Sequence, residues 1–88
     1  MKPDPDAYRR AQLAMAELKA CVLQLISEAP SPGLRNADIG RALGIYGGHK
    51  GHEGHISRTI LEILASEGLI TQNASKRWQI NQSNTTGE

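Results

Sequence analysis

Residues 55–80 read HISRTILEILASEGLITQNASKRWQI, and this stretch decides the fold. Ile56, Ile60, Ile63 and Leu64 recur at helical spacing, with Leu61 near the border of that face, so a helix is predicted from about His55 to Gly68. Gly68 fits the left-handed position that stops a helix. Leu69-Ile70-Thr71-Gln72 then has strand composition, Asn73-Ala74-Ser75-Lys76 is turn-like, and Arg77-Trp78-Gln79-Ile80 alternates outward and inward. Two short strands around a tight turn make a hairpin. A lone hairpin is marginal in water, so it is expected to pack on the helices through Ile70, Trp78 and Ile80.

Upstream, residues 44–54 read GIYGGHKGHEG and hold five of the nine glycines, the signature of a flexible loop. Before it, NADIGRALGI at residues 36–45 predicts a short helix. Asn36 serves as its cap, Asp38 suits its positive N-terminal end, Ile39, Ala42 and Leu43 face inward, and Gly44 stops it. The first helix is the longest. Pro3 and Pro5 precede it, and Asp6 is the expected N-cap. Tyr8, Ala11, Met15, Leu18, Val22 and Leu25 then alternate spacings of three and four, which places them on one stripe. Pro30-Ser31-Pro32-Gly33 ends it.

Composition sets the limits. A chain of 88 residues makes one domain. With 3% aromatics and no Phe, the core must be aliphatic, drawn mainly from nine Leu and eight Ile. Such a core supports three helices and a small sheet but not an enzyme with a deep pocket, since a drug-sized cleft takes ~300 Å³ or more. No apolar run is long enough to span a membrane, and MKPDPDAYRR lacks the apolar stretch of a signal peptide, so a cytoplasmic chain is expected. Cys21 is the single cysteine and is expected to be a small half-buried residue. The net charge is only +1, but residues 35–80 carry six bases (Arg35, Arg41, Lys50, Arg58, Lys76 and Arg77) against four acids, and all three histidines. That half is the mildly positive surface.

The order helix, helix, helix, hairpin, with NADIGRALGI, ISRTILEILASEGLI and the returning Arg77-Trp78-Gln79-Ile80, resembles the winged helix-turn-helix family over roughly residues 15–80. The Glu67-Gly68-Leu69-Ile70 junction is the more specific part of the match. The resemblance implies a mainly α fold with a small β-hairpin: a three-helix bundle plus a two-stranded wing over residues 7–80, after an N-terminal extension at 1–6 and before a disordered polar tail at 81–88. It also implies double-stranded DNA as partner, with the third helix in the major groove and the wing on the adjacent backbone. Where the family has a turn of a few residues, about ten separate Ile45 from Ile56. In this the chain is similar to some winged-helix modules fused to restriction enzymes.

On that layout His55, Arg58, Thr59 and Glu62 face outward. Arg58 could bond a guanine edge and Glu62 could accept from cytosine, although Glu62 could equally pair with Arg58 one turn away. Ser57 sits at the margin, within reach of a phosphate. Lys76 and Arg77 lie at the wing tip, and Arg35, Arg41 and Lys50 would position the domain on the backbone. His49, His52 and His55 form H-x2-H-x2-H, but no cysteine is near and such a spacing on a helix fans out, so no metal and no cofactor is expected. These imidazoles fit backbone contact better, gaining charge in mild acid. The loop lacks the G-x4-G-K-[ST] pattern of nucleotide hydrolysis, and the serines and histidines show no Ser-His-Asp logic, so the domain is not expected to be an enzyme.

The function expected is therefore DNA binding by a small transcriptional regulator. The alternatives are a protein-interaction module on the same scaffold, favoured by the near-neutral charge, or the DNA-recognition part of a restriction or mobile-element system. Because one chain carries few bases, two half-sites bound by a dimer would give useful affinity. In such a homodimer Tyr8, Ala11 and Met15 of the first helix would form the seam, while Leu18, Val22 and Leu25 belong to the core.

Overall fold

The computed structural model describes residues 4–48, 50–51 and 53–81. Three helices, α1 (Pro5–Glu28), α2 (Asn36–Ala42) and α3 (His55–Ser66), precede an antiparallel hairpin of β1 (Ile70–Gln72) and β2 (Trp78–Ile80). The protein is thus mainly helical with one two-stranded hairpin, registered Ile70 on Ile80 and Gln72 on Trp78.

Helix α1 starts earlier than its apolar stripe suggests. Its N-cap is Asp4, not Asp6: Asp4 Oδ1 accepts from the backbone N–H groups of Asp6 and Ala7 at 3.0 and 3.3 Å. Pro5 occupies the first turn, where its missing N–H leaves no bond unmade. Asp6 instead holds Arg9 at 3.1 Å and Arg10 at 3.7 Å on the surface. The helix stops at Ala29, which is extended (φ −78°, ψ 138°) because a residue before proline is disfavoured in the helical region. Helices α2 and α3 both close with Schellman bonds. The N–H of Ile45 donates to Gly40 and that of Leu69 to Leu64, while the stop glycines Gly44 and Gly68 donate to Arg41 and Ala65.

The core is aliphatic. Val22, Ile26, Ile39, Ile60, Leu61, Leu64 and Ile70 are buried, with Trp78, Ile80 and Leu18 packed against them. Each such Leu or Ile contributes roughly 1.5–3 kcal/mol by leaving water. On α1 the innermost residues are Val22 and Ile26, and Leu25 is only half-buried. On α3 the buried face is Ser57, Ile60, Leu61 and Leu64, whereas Ile56 is 52% exposed and Ile63 half-buried. At 100° per residue, this face is turned roughly 65° from the one that hydropathy alone selects.

A further strand-like contact lies between α1 and α2. Leu34 forms an antiparallel bridge to Trp78, its N–H donating at 3.2 Å and its carbonyl accepting at 2.6 Å. The backbone can come this close because residue 33 is glycine: a Cβ there would lie 2.5 Å from the Trp78 carbonyl oxygen. The bridge ties the hairpin to the start of α2. Asn81, expected in the tail, is also part of the domain, with its N–H bonded to Leu69 and its side-chain amide to Gly68, both at 3.0 Å. Residues 82–88 of that tail lie outside the described residues. Among the described residues no helix is long and apolar enough to cross a membrane.

Candidate nucleic-acid interface

The position of α3 is set by a polar knot at its first turn. Ser57 is fully buried, and its hydroxyl donates to Asn36 Oδ1 at 2.7 Å. The Asn36 amide donates to the Gly54 carbonyl at 3.2 Å, and the Gly54 N–H donates to Tyr46 at 3.2 Å. Asn36 therefore pins α2 to α3 and does not act as a helix cap. The α2 cap is Arg35, whose N–H donates to Asp38 Oδ2 at 3.0 Å. Tyr46 fills the remaining space, with its ring 4.6 Å below the Arg41 guanidinium. Two glycines admit it: a Cβ on Gly40 or Gly54 would lie 2.9 or 2.8 Å from the ring. Gly54 also adopts φ +83°, a backbone conformation that side chains disfavour. Both ends of the long connection are thus closed on themselves, and α3 begins at a fixed place despite the connection's length.

Beside this knot lies an open cleft of about 660 Å³, walled by the start of α2, the first turn of α3 and the hairpin. Arg35, Asn36, Ala37, Tyr46, Arg58, Gln72, Ser75 and Lys76 line it. Three of these side chains are cationic and none is acidic. Among the described residues, Arg35, Arg58 and Lys76 form no ion pair. The volume exceeds what so small a core was expected to frame, because the space is a groove between elements and not a cavity inside one. Its donors suit phosphate: guanidinium binds oxyanions with two parallel bonds, and ammonium acts as a point charge.

The hairpin turn is held toward this cleft by local bonds. Asn73 Oδ1 accepts from the N–H groups of Ser75 and Arg77, each at 3.0 Å, and the Asn73 amide donates to the Pro32 carbonyl at 2.9 Å. Lys76 adopts φ +63°, unusual for a side-chain-bearing residue.

The ten residues singled out by sequence divide by place. Arg35, Arg58 and Lys76 meet in the cleft. Arg41 lies over Tyr46, and Lys50 is exposed on the loop. Glu62 is exposed on α3, and among the described residues it forms no ion pair with Arg58. His55 and Thr59 face another way, lining an apolar groove with Met15, Leu18, Ile56 and Ile60. Two assignments are corrected. Ser57 cannot reach a phosphate, because it is buried and bonded to Asn36. Arg77 is not a wing-tip contact: its guanidinium donates to the Gly33 carbonyl at 3.1 Å and lies 4.0 Å from Asp38. It braces the hairpin against the turn before α2.

Sequence reasoning missed Tyr46, Gln72 and Ser75 as cleft residues. An aromatic residue embedded in a glycine-rich loop was the available signal for Tyr46. His49 and His52 lie outside the described residues, among which no group of three His, Cys, Asp or Glu is placed to hold a metal ion. Compared with protein-family models, curated proteins and solved structures, the chain matches none.

Proposed function

We propose that this chain is a winged-helix domain that binds double-stranded DNA and acts as a small transcriptional regulator. The observation that carries the reading is the acid-free cleft between α3 and the hairpin, in which Arg35, Arg58 and Lys76 converge. The Leu34–Trp78 bridge adds support, since it ties the hairpin beside the start of α2 and so sets Lys76 across the cleft from Arg35. In this reading α3 enters the major groove by its exposed face. Arg58 reaches a guanine edge, Glu62 faces a cytosine amine, and Arg35 and Lys76 hold the flanking phosphates.

Titration with mixed-sequence duplex DNA at two salt concentrations tests it. Two neutralised phosphates give a salt slope of about −1.8, so affinity should fall roughly 12-fold between 50 and 200 mM salt. Arg58→Ala should relax base preference at one position, whereas Arg35→Ala should weaken binding to all duplexes alike. Absence of binding at low salt would favour the alternative, a protein-interaction module on the same scaffold.

A further inference from the structure

The described part of α1 up to Glu17 is exposed at every residue, although the helix is continuous from Pro5. Residues 5–17 thus extend roughly 20 Å along the helix with no buried side chain. An isolated helix of that length is marginal in water. This one also carries apolar residues outward, with Tyr8 68%, Leu13 58% and Met15 39% exposed. Where the stretch meets the body there is an apolar groove of about 290 Å³ between α1 and α3, lined by Met15, Leu18, Ile56 and Ile60 with His55 and Thr59. The chain therefore presents an amphipathic helix without a groove and a groove without a helix.

We infer that the two belong together across a two-fold axis, and that the occupant of the groove is α1 of a second copy, running antiparallel. Tyr8, Ala11, Met15 and Leu18 share one stripe, which runs from the unsupported half into the groove. Centring the axis near Leu13 sets Tyr8 of each copy beside Leu18 and Ile56 of the other, and Ala11 beside Met15. The small Ala11 lets the helices approach closely. The position of the groove selects the direction. Antiparallel copies seat the unsupported Tyr8 end of each α1 on the Leu18 and Ile56 end of the other, whereas parallel copies would set Tyr8 against Tyr8 and leave both grooves unfilled.

Sedimentation equilibrium of the full chain over a dilution series, without DNA, tests the pairing. The mass should rise toward twice the 9.5 kDa of one chain. Tyr8→Glu and Ile56→Glu should each return it to one chain while the far-ultraviolet circular dichroism of the folded body is kept, since both positions are exposed. A single-chain mass at every concentration overturns the pairing. So does a dimer indifferent to Tyr8→Glu and Ile56→Glu. Because DNA is absent throughout, failure here leaves the DNA-binding proposal standing, and the reverse holds as well.

Discussion

Gly54→Ala is the substitution that probes most sharply how the start of α3 is fixed. Two separate penalties meet at this residue. The backbone sits at φ +83°, where a side chain costs about 1–2 kcal/mol. The new Cβ would also lie 2.7 Å from the Asn36 amide nitrogen and 2.8 Å from the Tyr46 ring, an overpacking that typically costs 1–3 kcal/mol. The loss of freedom in the unfolded chain returns about 0.4–1 kcal/mol. The net expectation is a destabilisation of roughly 2–4 kcal/mol. Two neighbours separate the terms. Gly51 adopts φ +84° with nothing within 4 Å of its would-be Cβ, so Gly51→Ala should lose only about 1 kcal/mol. Gly47 has open space and a φ outside the left-handed range, so Gly47→Ala should be neutral or slightly stabilising. Urea unfolding followed by circular dichroism gives the three values on one scale. If Gly54→Ala and Gly47→Ala agree within about 0.5 kcal/mol, the knot at Gly54 does not hold α3 as described.

Ser57→Ala should destabilise the fold by about 2 kcal/mol in the same assay, because it strips the buried knot of its hydroxyl and leaves Asn36 Oδ1 without its 2.7 Å donor. Arg77→Ala should lower stability by about 1 kcal/mol, from loss of the bond to Gly33, yet leave the salt slope of DNA binding unchanged. Lys76→Gly should do the opposite. It relieves the φ +63° backbone and so keeps stability within about 1 kcal/mol of the parent, while the salt slope becomes shallower by about 1.

The elements were legible because their signals are local. The Gly44 and Gly68 stops and the strand-turn-strand pattern at 69–80 each lie within a few residues, and each appears within a residue of where sequence placed it, whereas α1 starts earlier than its stripe and centres its buried face on Val22 and Ile26. The rotation of α3 was not legible. Hydropathy leaves Ser57 at the margin and counts Ile56 as inward, but Ser57 is buried on account of Asn36, 21 residues away, and Ile56 stays exposed. A periodicity argument cannot register a partner so distant in the chain. The same limit applies to Arg77, whose acceptor Gly33 is 44 residues away, and to the one-residue bridge of Leu34, too short to carry a strand pattern. Of the candidate site, sequence supplied the cations but not their grouping. Arg35, Arg58 and Lys76 come together because the Leu34 bridge, with the Asn73–Pro32 and Arg77–Gly33 bonds, holds the hairpin beside the start of α2.

The central claim is that the cleft between α3 and the hairpin receives a DNA backbone. Backbone amide shifts of the labelled chain, followed as a short duplex is added, test it most directly. The largest changes should cluster on Arg35, Ala37, Arg58, Ser75 and Lys76, with those around Gln24 and Glu28 of α1, which lie outside the cleft, unmoved. Shifts confined to α1, or none on the cleft residues at saturating duplex, would contradict it.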